Sequence, residues 1–264
     1  MHTPDIPLYK YLSLAVGQSP TWQERLEQLL KGRCYLPSPI DFNDPFDCLP
    51  YIHSPHELDE LSRWKVDMTS AMTSAIQPEN PLIPVESQIR QALGHLSSAE
   101  ISDKLQIAAK KSAERIGVFC LSERIDSVLM WSHYASHHRG IAIQFSFKDK
   151  LQNALFPLSK VKYRNHRPVV DEFSKSDPNL HLSDALAIKA NFWKYEREWR
   201  ALKPDKSGST IKFESKVITG IVFGVNCTVV DEHEIRNLAQ NHSLAIYRMR
   251  PDLTTFDLSM IPLD

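Results

Sequence analysis

Two glutamates one residue apart among three aromatics restrict this chain more than any other stretch: Trp193-Lys194-Tyr195-Glu196-Arg197-Glu198-Trp199-Arg200. A strand sends alternate side chains to opposite faces. As a strand, the segment groups Glu196, Glu198 and Arg200 on one face and Tyr195, Arg197 and Trp199 on the other. Two acids then face one cleft. Such a pair can hold a ribose hydroxyl and stabilise the cation that develops as a glycosidic bond breaks. The competing reading is an edge strand or helix with solvated charges, in which Glu196 pairs with Arg200 at i,i+4.

Glycine limits how a nucleotide could be held. There are 8 glycines in 264 residues, and neither G-x-x-x-x-G-K-[ST] nor G-x-G-x-x-G occurs, so no P-loop or Rossmann phosphate cradle is expected. The 31 basic and 32 acidic residues nearly cancel. No global field therefore draws the protein onto nucleic acid or a membrane, and a local basic patch stays open. No apolar run approaches the ~18 residues of a spanning helix, and the first residues lack a signal-peptide pattern. A soluble, cytoplasmic protein without membrane contact is expected. Cys34, Cys48, Cys120 and Cys227 are widely spaced, which suggests neither a disulfide framework nor a zinc site. His133 and His137 stand at i,i+4 with no convincing third ligand, so no metal is expected.

Patterning predicts an α+β fold in one domain spanning 1–264, with a helical insertion at about 55–116. Strands are expected at 8–13, 33–36, 117–122, 140–147, 196–202, 216–223, 243–248 and 255–260. A first helix is expected to be capped by Ser19, and a helix opening at Ser98–Ile101 closes the insertion. A short helix carries Met130, Trp131, His133 and Tyr134. Further helices are expected at about 183–191, capped by Ser183 or Asp184, and at 230–241.

Five motifs in order resemble the bacterial family of unknown function DUF2971. They are Leu8-Tyr9-Lys10-Tyr11, Phe42-Asn43-Asp44-Pro45-Phe46-Asp47, Cys120-Leu121-Ser122, Met130-Trp131-Ser132-His133-Tyr134-Ala135 with Arg139-Gly140-Ile141, and Lys189 through Arg200. The order of elements also resembles the ADP-ribosyltransferase fold, which binds NAD in the cleft of a split antiparallel or mixed sheet. That likeness implies NAD as the substrate, with a protein or nucleic acid as acceptor and, by analogy, a role in phage defence.

By the same resemblance, Glu198 stabilises the ribosyl cation, Glu196 orients the acceptor, and Tyr134 or Trp131 stacks near nicotinamide. Tyr9, Lys10 and Tyr11 supply the first-strand contact, with Lys10 on a ribose or phosphate. Asn43, Asp44, Arg139 and Arg200 complete the expected NAD cleft, although Pro45 and the flanking Phe42 and Phe46 favour a structural turn for the Asn43-Asp44-Pro45 loop. Arg139 and Lys189 suit either a phosphate or the acids of the Glu-x-Glu segment. Cys120 reads as a buried structural thiol. Two other classes fit the same residues. One is a noncatalytic nucleotide- or nucleic-acid-binding module. The other is a metal-dependent nuclease in which Asp44, Asp47, Glu196 and Glu198 hold Mg²⁺.

Overall fold

β1 (Leu8–Leu12) sets the pattern for the whole sheet. Leu8 and Leu12 pack into one apolar core while Tyr9 and Tyr11 pack into a second, on the opposite face. A strand buried on both sides in this way belongs at the centre of a sheet. The computed structural model describes residues 4–17, 20–52, 62, 65, 68, 94–147, 157–170 and 185–263. After β1 come β2 (Arg33–Leu36), β3 (Tyr51–Ile52), β4 (Gly117–Ser122), β5 (Ile141–Phe145), β6 (Leu158–Lys160), β7 (Lys162–Arg164) and β8 (Val169–Val170). They are followed by β9 (Ile188–Ala190), β10 (Glu198–Lys203), β11 (Ser209–Lys212), β12 (Ile218–Phe223), β13 (Ala245–Pro251) and β14 (Leu258–Pro262).

Eight of these strands form one mixed sheet in the order β14-β13-β12-β5-β1-β4-β10-β6. Only the β12/β13 neighbours run parallel, joined by a crossover through the Val229–Ala239 helix, as parallel strands require. The Trp22–Leu30 and Val229–Ala239 helices, with the β2–β11 pair, contribute to the core on the Leu8 face. The Val128–Tyr134 helix covers the Tyr9 face. This is the expected α+β architecture, with a large and mostly antiparallel sheet.

One joint in that sheet differs from the rest. β1 aligns with β5 over five residue pairs, but meets β4 at one, Tyr9 opposite Ser122. On its other edge β4 pairs with β10 along its whole length, from Glu198–Ser122 to Lys203–Gly117, so only the β1 edge of β4 is left largely unpaired. A space opens between β1 and β4, at the centre of the fold.

Several local expectations shift. Thr21 caps the first helix in place of Ser19, in a capping box with Glu24. Ser97 caps the Ser98–Glu114 helix, also in a capping box, with Glu100. Residues 62, 65 and 68 are helical, and the rest of the expected insertion between 55 and 93 lies outside the described residues. Ser183 and Asp184, the expected cap of a 183–191 helix, also lie outside them. The end of that segment is β9, held in parallel register on β7, so long-range pairing overrides the local apolar spacing. Residues 191–196 form a 3₁₀ helix instead of the start of a strand, and Arg197 closes it in the left-handed region at φ 43°. His133 and His137 do not share a helix face. The helix ends at Tyr134, and Ser136, His137 and His138 follow with φ of 49°, 55° and 68°. Gly140 then has to be glycine, since a Cβ there would lie 2.4 Å from the Leu12 carbonyl oxygen.

Candidate functional site

The space between β1 and β4 is bordered by a buried ionic cluster that begins with Arg200. β10 points Arg200 to the face opposite the Trp199 core, and its guanidinium is fully buried. Nε and Nη2 donate to the two carboxylate oxygens of Glu198 at 2.8 Å each, and Nη1 and Nη2 donate to the two of Asp47 at 2.8 Å each. Nη1 also donates to the Leu186 carbonyl at 2.9 Å. The planar fork thus binds two carboxylates side by side, which lysine could not do. Burial works against its charge, but Glu198, Cys48 and Asp47 hold it protonated well above the usual range. Burial lifts the Cys48 thiol to about 12, and the Cys120 thiol is likewise raised by burial. Neither is set up as a nucleophile.

The two glutamates have unequal surroundings. Glu198 accepts from Arg200 twice and from the Lys189 ammonium at 3.3 Å, and its backbone N–H donates to the Tyr163 hydroxyl at 2.8 Å. Burial pushes its pKa up, but Arg200 and Lys189 outweigh that and hold it down to about 2. Glu196 accepts once at each oxygen, from the Tyr134 hydroxyl at 2.7 Å and from Lys189 at 2.6 Å. Burial raises its pKa above the ordinary 4.5, and Lys189 offsets this only in part. Each carboxylate oxygen can take about two donors. Glu196 therefore keeps acceptor capacity for a ligand, whereas Glu198 is largely taken up by the protein.

Lys189, on β9, completes the cluster. Its ammonium lies 3.4 Å from Asp47 as well as near both glutamates, and 5.0 Å from the centre of the Trp193 ring. Burial alone would lower its pKa, but the three carboxylates raise it. Buried ion pairs are costly to assemble and contribute little net stability.

That cavity holds about 180 Å³. Of the residues expected in the cleft, Tyr9, Lys10, Tyr11, Asn43, Tyr134, Glu196 and Glu198 line it. Asn43 and Tyr134 line it together, and burial first, then Glu196, raises the Tyr134 pKa. Lys10 differs from its neighbours. Its side chain leaves β1 on the Leu8 face and sets its ammonium 4.8 Å from the Phe119 ring centre, and it lines the cavity together with Glu198.

Four expected contacts do not line the cavity. Arg200 is enclosed, with every N–H already donated, so it positions Glu198 and Asp47 and has none left for a ligand. Trp131 is fully buried, donates to the Ile125 carbonyl at 2.6 Å and meets Tyr11 edge to face, so it is core. Arg139 is exposed beyond the left-handed turn. Asp44 accepts from the Phe46 N–H at 2.9 Å in an Asx turn, as the structural reading of that loop expects.

Asp47, Tyr163 and the Leu186 carbonyl also hold the ionic cluster, a place that pattern alone does not assign them. For Asp47 the signal was its closing place in the Phe42–Asp47 motif. Tyr163 and Leu186 carried none. An aromatic group also stands beside the cavity, with His133 6.2 Å from Trp193 and 6.1 Å from Tyr134, centre to centre. Among the described residues no cluster of three metal-ligating side chains is arranged to hold an ion, and no helix is long and apolar enough to cross a membrane.

Residues 130–201 match the model of a family described as a protein of unknown function, DUF2971. The family resemblance is borne out over that stretch, which carries Met130–Ile141 and Lys189–Arg200 and so most of the ionic cluster. The Leu8, Phe42 and Cys120 motifs fall before it. No curated protein and no solved structure matches the chain.

Proposed function

We propose that the cavity receives the nicotinamide-ribose end of NAD and that the protein transfers the ADP-ribosyl group, as an ADP-ribosyltransferase-like enzyme. The observation that carries this reading is the unequal glutamate pair beside a small cavity at the β1/β4 joint. With Glu196 ionised, three carboxylates oppose the cations of Lys189 and Arg200, leaving one negative charge in excess. With Glu196 protonated, the cluster is neutral. Glu196 is thus the position at which charge and a proton change.

The chemistry follows from that charge. The C1′–nitrogen bond of the nicotinamide riboside breaks, its electron pair leaves on nicotinamide and discharges the pyridinium, and positive charge develops at C1′. Ionised Glu196 stabilises that charge and accepts the proton of the hydroxyl or amine that attacks C1′. Glu198, tied to Arg200, fixes the cluster in place, so cation stabilisation passes from Glu198, where the resemblance puts it, to Glu196. Tyr9 and Tyr11 offer aromatic walls to a planar ring. A cavity of 180 Å³ is below the usual ~300 Å³ of a pocket that encloses a whole drug-sized ligand. The diphosphate therefore lies outside, in the adjoining groove that shares Tyr9, with Arg197 as its partner, since Arg124 there already pairs with Asp126.

The test is nicotinamide release from NAD by the pure protein, with protein, DNA and RNA offered as acceptors. Glu196→Gln should lower release by about 10²–10⁴-fold, the usual contribution of a general base, while the fold is retained. Neither nicotinamide release nor NAD binding, beside a transferase control that works, would overturn the reading. Binding without release would leave a noncatalytic nucleotide cleft.

A further inference from the structure

The cavity at the β1/β4 joint is lined from both faces of the sheet. Leu121 comes from the face that carries the Leu8 core, and Tyr9, Tyr11, Cys120 and Glu198 come from the other. Between fully paired strands the sheet itself keeps such residues apart. β1 and β4 share only the Tyr9–Ser122 pair, and the cavity reaches through the gap beside it. Its two ends carry opposite charge. On the Tyr9 face the cluster of Asp47, Glu196, Glu198, Lys189 and Arg200 has one negative charge in excess when Glu196 is ionised. On the Leu8 face stands the Lys10 ammonium, beside the Phe119 ring.

Lys10 is half-buried, and no carboxylate, carbonyl or hydroxyl among the described residues accepts a hydrogen bond from it. Burial raises the Cys34 and Cys120 thiols, and the Lys10 charge acts against that rise in both, although Cys34 belongs to the Leu8 core and Cys120 faces the cluster. The ammonium is thus felt on both sides of the gap, with its three donors left for what occupies the cavity. The groove assigned to the diphosphate lies on the Tyr9 face, since Tyr9 and Ile125 of the second core line it. A dinucleotide entering from there sets its ribose near Glu196 and extends its ring through the gap. The substituent of the ring then meets Lys10.

We propose that Lys10 binds a carboxylate on that ring, so that the preferred substrate is nicotinic acid adenine dinucleotide, in which a carboxylate replaces the carboxamide of NAD. An ammonium makes a charge-assisted hydrogen bond to a carboxylate and a weaker one to a neutral carboxamide. Joined to ribose, the nicotinate ring is a zwitterion with a positive pyridinium and a negative carboxylate. It matches a cavity with Glu196 at one end and Lys10 at the other. The substrate assignment rests on the transferase reading, and the bond that breaks is the same: the C1′–nitrogen electron pair passes to the ring, which leaves as the nicotinate anion. Carboxylate recognition by Lys10 does not rest on it, because it is measured with the free ring.

The experiment measures the affinities of both dinucleotides by calorimetry, and of free nicotinate and nicotinamide by NMR titration, on the parent protein and on Lys10→Met. The parent should bind each carboxylate form about tenfold more tightly than its carboxamide form, the difference between a charge-assisted and a neutral hydrogen bond. Lys10→Met keeps an apolar stem and removes the charge, and should narrow each ratio to about threefold or less. A ratio between two ligands on one folded protein is not moved by a loss of stability. Equal affinities on the parent, or a preference that Lys10→Met retains, overturn the inference, and release of nicotinamide from NAD by that parent would still support the transferase reading. A preference for free nicotinate with neither dinucleotide bound would reject the transferase reading and keep Lys10 as a carboxylate anchor. No binding of any of the four overturns both.

Discussion

The two faces of β4 and β10 are built from the same residues in alternation, yet they are made of different materials. On one face Phe119, Leu121, Trp199 and Ala201 join an apolar core with Phe145 and Leu8. On the other, Cys120 and Ser122 stand opposite Arg200 and Glu198, in contact with Asp47 and Lys189. The apolar face stabilises in proportion to the area it removes from water, at roughly 25 cal/mol per Å². The ionic face gains little net stability, because desolvation consumes most of what the charges recover from each other. A strand can therefore carry an apolar core and a buried charge cluster at once, with the strand period keeping them apart.

The largest expected effect comes from breaking the ionic face. Arg200→Ala strands Glu198 and Asp47 without their cation, and should cost about 3–5 kcal/mol in urea unfolding. The next is a dependence on pH. Glu198 is held at about 2 in the folded protein against an ordinary 4.5, so its contribution is complete above 4.5 and is lost as pH falls toward 2. Glu196 has the opposite sign. Its folded pKa is raised, so its contribution is present below 4.5 and is lost as pH rises through the folded value. Urea midpoints across this range should show both limbs in the parent protein, only the acid limb in Glu196→Gln, and a reduced acid limb in Arg200→Ala. The smallest effect belongs to the apolar face. Ile143→Val, fully buried in that core, should cost about 0.5–1.5 kcal/mol at every pH. A pH-dependent loss from Ile143→Val would break the separation of the two faces.

Much of the sheet was legible in sequence because its strands obey local rules. Leu8–Leu12, Gly117–Ser122 and Ile141–Phe145 are short runs rich in apolar and aromatic residues, and they fall where patterning puts them. Ile188–Ala190 was not legible as a strand, since only its partner β7, more than twenty residues away, fixes it as one. The acid pair was legible as a pair but not as an unequal one. Strand alternation groups Glu196 with Glu198, yet the left-handed Arg197 between them ends the 3₁₀ helix and starts the strand. One acid lands on the helical turn beside Tyr134 and the other on the sheet beside Arg200. Asp47 arrives from a loop about 150 residues earlier, a contact that no local spacing encodes. Lys10 was legible as a residue of the same cavity as Glu198, but not the place of its ammonium over the Phe119 ring.

The account rests on two glutamates with different ionisation, and carboxyl ¹³C NMR titration reads both directly. Labelled protein, with Glu196→Gln and Glu198→Gln used to assign the two resonances, should show Glu196 titrating above 4.5 and Glu198 remaining ionised to about pH 2. Two carboxyls titrating together near 4.5, or Glu198 above Glu196, would contradict it.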